Sequence, residues 1–131
     1  MVLQFNGEVA SDHVWVKAKI GDPDCGKIVE VDALVDTEAT LMVIPRRLAN
    51  ELGLKVTGKA VPMTAGGSIE LERTRIWVEL ESKEDLVSAV VSNVIDKVLI
   101  GVTTLEVLGL QVDPVTGKLK EWTLLLYQSL T

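Results

Sequence analysis

Apolar and polar positions alternate with a period of two along much of this chain. His13 to Ile20 alternates through Val14, Val16, Ala18 and Ile20, the pattern of a half-buried strand. Gly21 to Gly26 has turn composition. Lys27 to Val35 reads as a second strand, with Ile28, Val31 and Val35 apolar and Glu30 and Asp32 polar, so the two predict a hairpin. Phe5 to Gly7 reads as the end of an opening strand. Leu54 to Met63 and Ser68 to Leu80 predict two more strands around the tip Thr64-Ala65-Gly66-Gly67. Ser82 to Asp85 reads as a polar turn, Leu86 to Val91 as a short buried strand, and Val98 to Ile100 as a core strand after the connection Asn93 to Lys97. Leu110 to Asp113 and Leu119 to Leu126 are the last strands expected, around the turn Pro114 to Gly117. Trp122 and Leu124 to Leu126 are expected to pack on the core or on a partner.

The period changes twice. Leu48, Ala49 and Leu52 have helical spacing, with Pro45 at a favourable first helical position and Gly53 as a C-cap. Leu105 and Leu108 predict a second short helix, capped by Thr103 or Thr104 and closed by Gly109. A strand, a tight turn and a helix closing in Leu-Gly-Leu thus occur at Leu34 to Leu54 and again at Val98 to Leu110.

Composition narrows the classes. A length of 131 residues suits one domain, 1–131, around one core. Nineteen acidic and 13 basic side chains give a formal charge of −6, which argues against nucleic acid or an anionic membrane surface as the main partner. No apolar run approaches the roughly 20 residues that span a bilayer. Met1 to Phe5 shows no basic segment followed by a long apolar one, so no secretory signal is expected. One cysteine, Cys25, cannot form an intrachain disulfide, and a reducing, cytoplasmic setting is expected. With His13 the only histidine, a Cys/His nucleophilic pair or zinc site is poorly supported, and neither metal nor cofactor is expected.

The candidate chemistry lies at Asp36. An acid ending a buried strand is unusual, because an ionised carboxylate away from water is costly unless paired or hydrogen-bonded. Its plain alternative is a turn-starting aspartate. Likewise, the glycine tip at Ala65-Gly66-Gly67 suits a mobile lid or an ordinary hairpin turn.

Leu34-Val35-Asp36-Thr37-Glu38-Ala39-Thr40 resembles the active-site segment of the retropepsin-like aspartic proteases: two apolar residues, Asp, Thr or Ser, Gly, then Ala or Ser. Glu38 stands where that family has glycine. Thr64 to Ser68 falls where the family has its flap. Val98-Leu99-Ile100-Gly101, with Leu105 and Leu108-Gly109-Leu110, resembles its apolar-apolar-Gly segment and C-terminal helix. The resemblance covers Ile28 to Pro114. It implies an all-β, single-domain acid-protease barrel with two short helices, acting as a homodimer on polypeptide. Asp36 from each copy would meet on a twofold axis, with Thr37 supporting the pair. Glu38, Ala39, Ala65, Gly66, Gly67 and Ile100 would contact substrate.

Peptide hydrolysis without a metal needs one group to take a proton from water and another to give one to the carbonyl oxygen. Two carboxylates a few ångströms apart cannot both ionise, so they share a proton and serve as base and acid together. Glu38 leaves three readings: an active enzyme with an acidic optimum, an inactive dimerisation or peptide-binding module, or an artificial substitution in an ordinary protease. If strand geometry continues past Asp36, then Asp36 and Glu38 share a face and could ligate a hard cation or form a glycosidase-type acid pair.

Overall fold

The computed structural model describes residues 13–61, 63–64, 67–68 and 70–122. In chain order the elements are β1 (His13–Gly21), β2 (Ile28–Asp36), β3 (Met42–Pro45), α1 (Arg46–Leu52), β4 (Val56–Ala60), β5 (Met63–Thr64) and β6 (Gly67–Ser68). There follow β7 (Leu71–Leu80), β8 (Lys83–Ser92), β9 (Val98–Ile100), α2 (Val102–Leu108), β10 (Leu110–Val112) and β11 (Leu119–Glu121).

The β1–β2 hairpin forms as the alternation predicts, in register from His13 opposite Asp36 to Gly21 opposite Ile28. Six strands close into a barrel in the order β1-β2-β9-β3-β8-β7, sealed where Lys19, Ile20 and Gly21 of β1 meet Glu79, Val78 and Trp77 of β7. β4 pairs with the far end of β7, from Val56 opposite Thr74 to Ala60 opposite Leu71. Inward positions alternate strictly. Ile20, Val35, Met42, Ile44, Ile76, Val78 and Ile100 all have no exposed surface. Leu48 and Leu52 of α1 and Leu105 and Leu108 of α2 close the barrel from outside.

Both helices end as the sequence predicts. Gly53 and Gly109 take left-handed φ of 66° and 71°, and the turn they open returns N–H groups to the last helical carbonyls. Three details differ. Pro45 is the last residue of β3 and precedes the first helical residue, Arg46. Thr103 and Thr104 lie inside α2, whose N-cap is Gly101, with no side-chain cap. The turn expected over Ser82 to Asp85 contracts to Glu81 and Ser82, and β8 starts at Lys83. Both turn residues have positive φ, 54° and 64°, as a two-residue hairpin turn of the right twist requires. They carry no Asn-Gly or Gly signature, so composition pointed to a longer turn. The expected elements at Phe5 to Gly7 and beyond Trp122, including Leu124 to Leu126, lie outside the described residues.

Candidate active site

β9 lies between β2 and β3, the two strands joined by the Asp36 turn. It runs parallel to β2, with Leu34 opposite Leu99 and Val35 opposite Ile100, and antiparallel to β3 at Val43 and Leu99. Loop 37–41 must therefore cross the end of β9. Gly101 lies directly beneath it. A Cβ there would stand 2.6 Å from Leu41 O and 2.8 Å from Ala39 O, so only glycine permits the crossing.

The loop in turn completes α2. Val102 N donates to Ala39 O at 2.8 Å and Thr103 N to Thr40 O at 3.1 Å. The Thr103 hydroxyl donates to the same Thr40 carbonyl at 2.6 Å. These bonds do the work of the missing side-chain cap, because the first N–H groups of a helix have no partner within it.

Asp36 is half-buried at the end of β2. Its Oδ1 accepts from Glu38 N at 3.0 Å, and its carbonyl accepts from Ala39 N at 3.0 Å. The carboxylate therefore helps to fold its own turn, and its acceptor capacity is only partly used. Thr37 and Glu38 are exposed and Ala39 is half-buried. Among the described residues, the non-glycine positions with positive φ are Cys25, Glu81 and Ser82, so Glu38 takes this turn in an ordinary conformation. β2 ends at Asp36, and a turn follows. The strand alternation that would align Asp36 with Glu38 for cation ligation or a glycosidase pair does not continue.

Beside the loop runs a groove of about 520 Å³. Residues 38–41 form one wall, Val43 and Val90 the floor, and Ala60, Val61 and Leu71 the opposite side. The floor belongs to a row that the register carries across the barrel's outer face: Trp15, Leu34, Leu99, Val43, Val90. Leu34, Leu99 and Val90 are buried in that row, while Trp15 is 58% exposed. Ile100, expected to contact substrate, points the other way. It is wholly buried in the core, and its neighbour Leu99 is the one facing outward. The alternation of β9 could have revealed this, once Val35 opposite Ile100 was known to face inward.

Of the glycine tip, Gly67 pairs with Thr64 in the short β5–β6 ladder. Ala65 and Gly66 lie outside the described residues. Near the foot of this hairpin Arg46 forms an ion pair with Glu72 at 2.7 Å and donates from Nε to Asn93 Oδ1 at 2.8 Å. Sequence reasoning placed Gly101 and Leu99 only in the apolar-apolar-Gly segment and read Thr103 as a helix cap, and gave none of them a part in holding the Asp36 loop. A glycine directly after an apolar strand was the available signal for the first.

A family model described as "gag-polyprotein putative aspartyl protease" matches residues 26–107. The chain belongs to that family. Solved structures agree on the fold of this retropepsin-like aspartic protease domain. The EIAV protease complexed with the inhibitor HBY-793 superposes with a TM-score of 0.57 at 20% identity, covering 81% of this chain and 94% of that one. A retropepsin-like aspartic protease from Rickettsia conorii gives 0.55 at 22% identity, covering 77% and 76%. The solution structure of the simian foamy virus (mac) protease gives 0.54 at 13% identity, covering 71% and 92%. A search of curated proteins found no match. The family match spans the Asp36 turn, β9 and most of α2, the parts whose geometry defines the site.

Proposed function

We propose that this retropepsin-like chain is a homodimeric aspartic endopeptidase. The observation that carries the reading is the placement of Asp36: a half-buried carboxylate at a strand end, on a loop that also walls an apolar groove. One Asp36 supplies half of the chemistry, so a second copy supplies the other half. One carboxylate takes a proton from water as its oxygen attacks the peptide carbon. The protonated partner gives its proton to the carbonyl oxygen. The C–N bond then breaks as a proton passes to the amine. Thr37 supports the pair across the axis. The substrate lies extended in the groove, held by backbone hydrogen bonds and apolar side-chain contacts, with Glu38 and Ala39 beside it.

Glu38 is exposed and unstrained, which favours a tolerated substitution over a disabling one. It also sets a second carboxyl on the wall of the groove, which favours the other reading, a non-catalytic peptide-binding or dimerisation module. One experiment separates them: cleavage of a denatured peptide mixture, read by mass spectrometry from acidic to neutral pH. The wild-type protein is expected to cleave, and Asp36→Asn to lose at least about 10²-fold in rate, the scale of a lost general acid–base. An unchanged rate in Asp36→Asn would overturn the catalytic assignment. Cleavage by Glu38→Gly alone would establish the module reading for the natural sequence.

A further inference from the structure

Behind the loop, on the side of α2, a second pocket of about 210 Å³ has a different character. Arg73 and Arg75 line it from β7, Ser88 from β8, and Thr103 and Thr104 from α2. Leu41 walls it and the apolar groove alike.

The two arginines stand two residues apart on one strand, so both side chains leave the outer face, while Thr74 between them is buried inward. Neither forms an ion pair among the described residues, although the chain carries a formal charge of −6. Arg75 also borders a separate pocket that contains Asp22 and Asp24. Arg73 donates from Nη2 to Ser88 Oγ at 3.3 Å, which leaves most of its five N–H donors uncommitted.

A second observation is independent of the arginines. Thr104 is 1% exposed, and its buried hydroxyl has no hydrogen-bond partner among the described residues. Leaving such a group unpaired costs about 1–3 kcal/mol. Its helix also offers Thr103, whose hydroxyl holds Thr40 O. Thr103's one proton is thus spent, and the pocket combines two fork-shaped cations with the hydroxyls of Ser88 and Thr104 beside the apolar Leu86, Val87 and Val107, a donor set suited to a planar or tetrahedral oxyanion.

We propose that this pocket binds an oxyanion, a carboxylate or phosphate group, behind the active-site loop. Its occupant lies against Thr103 and Leu41, two residues that also hold or wall the groove. The source is either a free anion or an acidic residue of a bound polypeptide, which present the same chemistry.

The test is an amide and arginine Nε NMR titration of the ¹⁵N-labelled protein. The ligands are inorganic phosphate and, separately, a glutamate-rich peptide, each against sodium chloride at matched ionic strength. Saturable shifts at Arg73 Nε, Ser88 and Thr103 are expected with an oxyanion and not with chloride. Saturation by phosphate alone assigns a free anion, and tighter saturation by the peptide assigns an acidic polypeptide residue. Arg73→Gln with Arg75→Gln is expected to weaken binding at least about tenfold, since two charge-assisted contacts are lost. Thr104→Val, similar in shape, keeps the fold and weakens binding as well, which guards against a misfolded double variant. Shifts equal to those in chloride, or binding unchanged in both variants, would overturn the proposal.

Discussion

The carboxylate of Asp36 owes its position to neighbours that do no chemistry. Glu38 N fixes one oxygen, and Gly101 makes room for the loop above β9. Gly101→Ala would drive a Cβ to 2.6 Å from Leu41 O, a contact with backbone that no side-chain rotation relieves. The expected cost is about 1–3 kcal/mol, the range for overpacking, read as a lower urea midpoint and accompanied by lost cleavage. Leu99 and Ile100 make a second residue-scale test. Ile100→Ala removes a fully buried side chain and is expected to cost about 2–5 kcal/mol in urea unfolding. Leu99→Ala, on the outer row beside the groove-floor residue Val43, is expected to alter the side chains preferred in cleavage products at a smaller stability cost. Matched product profiles for Leu99→Ala and wild type would remove Leu99 from the substrate surface. The turn after β2 was legible because the order Asp36, Thr37, Ala39 is a local signature. The exchange of Leu99 for Ile100 was not, because side is set by pairing with β2, and pairing is not written in three residues.

Among the elements, α2 is the one whose beginning depends on another part of the chain. Its first N–H groups reach Ala39 and Thr40, 63 residues earlier, so it is anchored by the loop after Asp36 and needs no capping side chain. Threonines near its start suggested a local cap, because local chemistry is all that a short stretch can display. Its end was legible: a glycine in left-handed conformation is required there, as at Gly53. The β7–β8 hairpin offers the converse case. Glu81 and Ser82 both hold positive φ, which costs residues with a Cβ about 1–2 kcal/mol each. Glu81→Asn with Ser82→Gly is therefore expected to raise stability by about 1 kcal/mol or more. An unaltered thermal midpoint would mean that these residues are compensated within the turn.

At the scale of the whole molecule, function is proposed to need two copies. Analytical ultracentrifugation is expected to show a mass that doubles with concentration. A clean monomer at high concentration and acidic pH would remove the shared-carboxylate mechanism. Surface ion pairs contribute little to the fold itself. Lys17 and Asp32 meet at 2.7 Å, yet both side chains are well over half exposed, where solvent and salt screen the attraction. Closure of the barrel joins Lys19 to Glu79, a pairing no local pattern announces, whereas the strands themselves were largely visible as alternations. The insertion of β9 between β2 and β3 also has a consequence for biosynthesis. A ribosome completes β2 and β3 some fifty residues before β9, so at about 5–20 residues per second their facing edges wait unpaired for seconds. Exposed strand edges recruit other chains, which makes a stalled or truncated nascent chain ending before Val98 the form most prone to aggregate.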